Sequence, residues 1–202
     1  IYRIVGEGTK FMADIKKGSE IDIMGPLGRG YDVLSLKKGQ TALLVGGGIG
    51  VPPLYELAKQ FNQRGIKTIA ILGFNTKDEV FYEEEFKKFG ETYVSTVDGS
   101  VGTKGFVTDV IKKLQAENNL VFDKYYSCGP VPMLKALIST VGEDGYVSLE
   151  NRMACGIGAC YACVCKKKKK DKDIIAYDEK KVEYTRVCYD GPVYLASDVE
   201  IE

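Results

Sequence analysis

Between Thr41 and Val141 the chain alternates apolar, β-branched runs with segments of helical period, and this narrows the possible folds more than any other feature. Thr41 to Val45 reads as a buried strand; glycines follow, then a helix whose Leu54, Leu57, Ala58 and Phe61 recur at i, i+3, i+4 and i+7. Lys67 to Phe74 is the next strand. Asp78 to Phe89 reads as a helix opened by acidic residues, which suit the positive end of a helix dipole. Glu91 to Val97 is a strand, Thr108 to Gln115 a helix, Tyr125 to Cys128 a strand, and Pro130 to Val141 a helix opened by proline. Strand alternating with helix predicts a parallel sheet covered on both faces.

The flanks read differently. Up to about residue 36, short apolar runs are punctuated by turn sequences (Gly6 to Thr9, Lys16 to Glu20, Met24 to Gly30), which predicts β structure with loops. From about Gly145 the alternation stops, and a small appended domain is expected, with five of the six cysteines, the run Lys166 to Lys170 and Tyr-rich short strands. Three units follow: 1–36, 37–144 and 145–202. The opening residues, Ile1-Tyr2-Arg3-Ile4-Val5, look like the middle of a strand with no turn before it, so an N-terminal part is expected to precede them.

Charge and composition exclude several classes. Lys+Arg and Asp+Glu both number 28, so no net field gathers nucleic acid or an anionic membrane. No apolar run approaches the roughly 18 residues of a membrane span, and no basic-then-apolar leader opens the chain; a cytoplasmic protein is the expectation. There is no His, which removes Ser-His and Cys-His pairs, His-bearing zinc or Rieske sites and the commonest general base. No side chain is assigned a catalytic role, and the chemistry is expected from a bound cofactor or from Cys, carboxylates, Tyr or Lys.

Gly46, Gly47, Gly48 and Gly50 stand between a strand and a helix, where a tight turn and bare N–H groups at a helix N-terminus suit a pyrophosphate. The usual G-x-G-x-x-G spacing is absent: counting from Gly46, the third glycine is replaced by Val51, and no acid stands about 20 residues on. A glycine turn needed only for packing is the alternative. A second turn, Cys128-Gly129-Pro130, ends the fourth strand of the alternating region, and ligands of open parallel sheets sit at such carboxyl ends; a buried cysteine beside a helix start would look the same.

Four cysteines occupy the thirteen residues from Met153 to Cys165. Cys155, Cys160 and Cys163 are spaced C-x4-C-x2-C, and Cys188 follows after 24 intervening residues, an arrangement of the plant type for a [2Fe–2S] cluster. Gly156 and Gly158 let such a loop turn closely around the sulfides, and Ala159 and Ala162 leave room. A four-cysteine zinc site stays open, although its ligands usually come as two close pairs and Cys188 has no near neighbour. Disulfides would suit a small secreted domain. Cys165 competes with Cys163 as a ligand, the x2 spacing favouring Cys163. Lys166 to Lys170 reads as a solvated hairpin tip or a docking surface for an acidic partner, and Glu150 and Arg152 as surface charges or interface residues.

The motifs GGGIGVPP, CGP at Cys128, SLENRMACGIGACYACVC and YTRVCYDGPVY together resemble the electron-transfer subunits of NAD-dependent (type B) dihydroorotate dehydrogenases, relatives of the ferredoxin reductases. The resemblance covers essentially the whole chain. It implies an α/β fold, with a parallel-sheet NAD-binding domain between the C-terminal part of a flavin-binding β-barrel and a small [2Fe–2S] domain. It implies FAD at Ile1, Tyr2, Arg3, Gly8 and Thr9, NAD at Gly46, Gly47, Gly48, Gly50, Cys128, Gly129 and Pro130, and the cluster on Cys155, Cys160, Cys163 and Cys188. The family's Arg-Pro-x-Ser flavin motif is absent. The implied role is an electron wire in pyrimidine biosynthesis, from a flavin-containing dihydroorotate dehydrogenase catalytic subunit to NAD⁺, in a heterotetramer. The alternatives are a flavin and iron–sulfur subunit of another NAD(P)H complex, such as sulfide dehydrogenase or ferredoxin:NADP oxidoreductase, and a nucleotide-binding module with structural zinc.

Overall fold

The structure, a computed structural model, describes residues 1–168 and 183–201; Lys169 and Lys170 of the lysine run lie outside the described residues. Its centre is a sheet of seven strands, β1 (Thr41–Gly47), β2 (Lys67–Phe74), β3 (Gly90–Thr96), β4 (Thr103–Lys104), β5 (Lys124–Cys128), β6 (Gly145–Ser148) and β9 (Val193–Leu195), in the order β4-β3-β2-β1-β5-β6-β9. All pairs are parallel except β6 with β9. The strands alternate with α2 (Val51–Gln63), α3 (Glu83–Lys87), α4 (Val107–Ala116) and α5 (Val131–Val141). The parallel sheet expected from the alternation is present.

The two-residue period of the strands divides the core. Leu43, Val45, Ile69, Ile71 and Tyr125 share one cluster with Val110, Ile111 and Leu114 of α4 and Leu134 and Leu137 of α5. Their neighbours Ala42, Leu44, Ala70, Leu72 and Tyr126 face the other way, onto Leu54, Leu57, Ala58 and Phe61 of α2 and Phe86 of α3. Such burial contributes about 1.5–3 kcal/mol for each large apolar side chain. Truncating the buried Phe61 to Ala costs about 3–5 kcal/mol.

The helix expected over Asp78 to Phe89 is shorter. Only Glu83–Lys87 is α-helical, after a single 3₁₀ turn at Lys77–Glu79. Phe81 packs on Phe74, and Tyr82 and Phe89 pack on Tyr55. Tyr82 sits at φ 66°, a left-handed conformation in which a helix cannot continue. Burying these rings outweighs local helix propensity.

Residues 1–36 also differ from the β structure expected there. Among the described residues they contain no strand, only the helix α1 (Glu7–Asp14), the rest being turns and extended chain. Strand formation needs a neighbour to complete its ladder, and Ile4, Val5, Ile21 and Ile23 find none and are exposed. Locally the helix start is favoured instead, because Thr9 Oγ1 accepts hydrogen bonds from the N–H groups of Val5 (2.9 Å) and Gly6 (3.1 Å). The end of the segment does dock: Arg29 forms an isolated bridge with Pro192, and Tyr31 donates to the Ser127 carbonyl at 2.8 Å.

After β6 the chain runs into the cysteine loop and a two-stranded antiparallel ribbon, β7 (Val164–Lys166) and β8 (Tyr184–Arg186). This region shares the sheet's core. Cys163, Val187, Cys188, Ala196 and Val199 belong to the same buried cluster as Leu134 and Leu137 of α5. Lys168, in the run read as a solvated tip, is anchored, its Nζ donating to Glu143 Oε1 (2.7 Å) and to the Ala196 carbonyl (2.9 Å).

Candidate functional site

The chain leaves β1 toward β2, β3 and β4 on one side and returns to β5 and β6 on the other. The direction reverses between β1 and β5, and ligands of open α/β sheets bind outside the strand ends at such a point. Gly46 pairs with Cys128 in register, so the glycine loop and the Cys128-Gly129-Pro130 turn are neighbours.

At Gly50 they touch closely enough to need glycine. A Cβ at Gly50 would run into the Cys128 carbonyl; one at Gly47 would lie 2.6 Å from Met133 Sδ, and one at Gly129 2.5 Å from Met133 Cε. A Cβ at Gly46 would approach Val51 Cγ2 to 2.9 Å. Gly48 is different, with open space around it and φ +52°. Prolines 52 and 53 remove N–H donors from the first turn of α2, and Pro132 does so in α5.

Beside the crevice, Tyr31 and Cys128 both contact the Ser148 hydroxyl. Burial pushes the Tyr31 phenol well above its ordinary range, the nearby Cys128 adding to the rise. The Cys128 thiol is pushed up as well, chiefly by burial and further by Glu150, against the Ser148 hydrogen bond. Both groups are neutral at pH 7. Sequence reasoning missed Tyr31 and Ser148, because only the sheet's topology brings them to Cys128.

The cysteines form two pairs. The Cys160 N–H lies 3.4 Å from Cys155 Sγ, and the thiols of these two also meet. The Cys188 N–H lies 3.3 Å from Cys163 Sγ, again with thiol contact, and Cys188 also senses the charge of Cys155. Cys163 and Cys188 are buried, whereas Cys155 is half-buried and Cys160 exposed. The Cys155 thiol is lowered to about 6, mainly by the N–H of Cys160, then by that of Ile157, by the Cys160 thiol and by the Ala159 N–H. The Cys188 thiol is raised by its bond to Cys163 and by burial.

Left-handed glycines aim these amides. Gly156 (φ 72°) and Gly158 (φ 81°) turn the backbone inward around Cys155. Among the described residues no three His, Cys, Asp or Glu side chains converge on one point as a single metal ion requires. Two thiol pairs suit a two-iron centre, where each iron takes two thiolates. Cys165 lies in β7 opposite Thr185 and packs on the core. A cavity of about 110 Å³ beside it, lined by Val131, Leu149, Glu150 and Val187 among others, is too small for a dinucleotide.

Arg186 holds this loop from outside. Its Nη1 donates to the Gly158 carbonyl (3.0 Å), its Nε and Nη2 to Asp190 (2.9 and 3.3 Å), and its guanidinium lies over the rings of Tyr189 and Tyr161 (4.7 and 5.2 Å to the centroids). The sequence does carry a signal for it, since Arg186 and Asp190 flank Cys188 at i and i+4. Of the residues expected at a flavin, Ile1 and Tyr2 are exposed, Arg3 reaches Glu79 at 3.4 Å, and Gly8 and Thr9 lie in the first turn of α1. Space is open over Gly6 and Gly8.

Comparison with known proteins places these features together. Residues 150–200 match the iron-sulfur cluster binding domain of dihydroorotate dehydrogenase B, and residues 44–138 the oxidoreductase NAD-binding domain. A protein of Fusobacterium nucleatum subsp. nucleatum, the electron transfer subunit of dihydroorotate dehydrogenase B (NAD(+)), is 87% identical over all 202 residues, which cover 74% of its length. The subunit of that name from Lysinibacillus sphaericus is 56% identical over 195 residues, 96% of this chain and 71% of that one. Among solved structures, that of an NADH-dependent reduced ferredoxin-NADP oxidoreductase superposes with a TM-score of 0.80 at 30% identity, over 99% of this chain and 67% of that one.

Proposed function

The chain belongs to the family of electron-transfer subunits of NAD-dependent dihydroorotate dehydrogenase B, and on that premise we propose that it carries electrons from a partner catalytic subunit's flavin, through a [2Fe–2S] cluster and FAD, to NAD⁺ in pyrimidine biosynthesis. When bound, nicotinamide exchanges electrons as hydride, an iron–sulfur cluster one at a time, and a flavin in both ways. The oxidation of dihydroorotate belongs to the partner.

The observation that carries this reading is the double pairing of thiols, Cys155 with Cys160 and Cys163 with Cys188, in a loop packed onto the sheet. These four residues would hold the cluster, each pair on one iron, while the amides of Ile157, Ala159 and Cys160 stabilise thiolate charge at Cys155. Gly46, Gly47, Gly48, Gly50, Cys128, Gly129 and Pro130 would hold NAD at the switch point. Here the close-packed glycines set the shape of the crevice, and Gly48 offers bare backbone. Ile1, Tyr2, Arg3, Gly8 and Thr9 would contribute to FAD binding, where space is open over Gly8.

Residues 1–36 then belong to a flavin-binding unit, 37–144 to the NAD unit and 145–202 to the cluster unit. The partner is the flavin-containing catalytic subunit, in an assembly of two copies of each in the cytoplasm. The structure of the reduced ferredoxin-NADP oxidoreductase supports a second reading, the same wire in another complex, with less sequence identity behind it.

The test is to purify the uninterrupted gene product with its partner and record iron, acid-labile sulfide, visible and EPR spectra before and after adding NADH. About two irons per chain without zinc, flavin bleaching and a reduced-cluster signal are expected. A Cys188→Ser variant with unchanged iron and unchanged NADH-driven reduction overturns the proposal.

A further inference from the structure

We propose that Arg186 is a positioning residue for the iron–sulfur centre: its guanidinium holds the carbonyl of Gly158, the residue whose N–H meets the Cys188 sulfur, and its charge favours the reduced state. The inference rests on the cluster reading above and goes beyond it, because Arg186 is not one of the ligands.

Three contacts reach the cysteine loop or its closing turn without touching a ligand. Nη1 binds the Gly158 carbonyl at 3.0 Å, and the N–H of that same glycine bonds the Cys188 thiol. Tyr161 follows Cys160 and Tyr189 follows Cys188, and the guanidinium lies over both rings. Asp190 fixes the opposite edge of the guanidinium through Nε and Nη2, and it also accepts the Arg186 backbone N–H at 3.0 Å. The backbone closes the turn as well, the Arg186 carbonyl accepting from Tyr189, Asp190 and Gly191.

An exposed Arg–Asp pair alone contributes little. What this geometry adds is reach, since one planar fork spans a loop carbonyl and a turn carboxylate while lying over two rings. A lysine supplies the charge without the fork or the stacking. Reduction adds one negative charge to the centre, so a cation beside it and a well-aimed N–H···S bond both favour the reduced form.

The test uses the full-length subunit in complex with its partner. Midpoint potential is read by EPR-monitored titration, and cluster retention by the rate of iron transfer to a chelator. Arg186→Gln is expected to lower the reduced-to-oxidised ratio at fixed potential about tenfold, 59 mV for one electron, and to release iron several-fold faster. Arg186→Lys, which keeps the charge and loses the fork, is expected to lower the potential by less than Arg186→Gln yet release iron as fast as the Gln variant. An unchanged potential in Arg186→Gln, even with a lower melting temperature, overturns the proposal by reducing Arg186 to a strut. If Arg186→Gln fails to load iron, a wild-type iron-release rate in Arg186→Lys overturns it instead. Cys188→Ser run in parallel separates the two ideas: if it loses iron while the Arg186 variants behave as wild type, only the present proposal fails, whereas if it keeps iron the cluster reading itself fails.

Discussion

The loop after β1 and the loop carrying Cys155, Cys160 and Cys163 are both rich in glycine, and the missing side chains serve different needs in each. In the first, Gly50 makes room for the Cys128 backbone, so that the turns ending β1 and β5 can lie against one another, while Gly46 and Gly47 leave space for Val51 and Met133. Only Gly48 there has a left-handed φ. In the second, Gly156 and Gly158 are both left-handed, and the gain is orientation, with amides turned onto sulfur. The first loop is held by the dry core of the sheet. The second has a half-buried and an exposed thiol beside the buried Cys163, so its shape should depend on what it grips.

The largest test of that difference is Cys188→Ser, which should take iron from about two per chain to well under half of that while the sheet still unfolds cooperatively; iron and melting curves measured on one sample decide it. Next comes Gly50→Ala. Its Cβ meets backbone rather than a movable side chain, so a loss of about 2–3 kcal/mol is expected, read as a melting temperature lower by about 5–10 °C, with weakened NADH-driven flavin reduction. A neutral Gly50→Ala would break the claim that packing sets this loop. Gly48→Ala should cost only about 1 kcal/mol, the strain of its left-handed backbone, because nothing lies within 4 Å. Cys165→Ser should leave iron content unchanged, since Cys165 sits in the β7 ladder rather than in either thiol pair.

The smallest effect lies at the opposite end of β1 and β5. Asp123 accepts hydrogen bonds from the Thr41 N–H (2.7 Å) and Gln40 Nε2 (2.9 Å), and these hold its carboxyl below the usual range. A lowered carboxyl stabilises the fold above the pKa of the unfolded chain, and that stability is lost as pH falls through the folded pKa. The melting temperatures of wild type and Asp123→Ala should therefore differ at pH 7 and converge in acid. A gap that persists in acid would refute the assignment.

The elements between Thr41 and Val141 were legible because their periods differ, two for strands and 3.6 for helices, and because Lys67–Phe74 and Val51–Gln63 bury the residues those periods select. The reading overran at Asp78 to Phe89, where acidic residues suggest a helix but the rings of Phe81 and Tyr82 turn into the core. It also expected strands in residues 1–36, where alternation is present and a pairing partner is not. Strands as short as Gly145–Ser148 and Val193–Leu195 show too little of a period to place in a sheet. At the site, sequence spacing singled out the cysteines, and the pairing that joins them two by two came only from the fold. Tyr31 and Ser148 had no local signal, being brought to Cys128 across strand neighbours.

The cysteine-bearing segment ends by giving β9 back to the sheet, beside β6. A protein engineer wishing to graft this electron-carrying unit onto another host could not snip it at one hinge, because its exit path is stitched into the donor's outermost ladder. Any transplant would have to bring that strand's neighbour with it or supply a substitute edge.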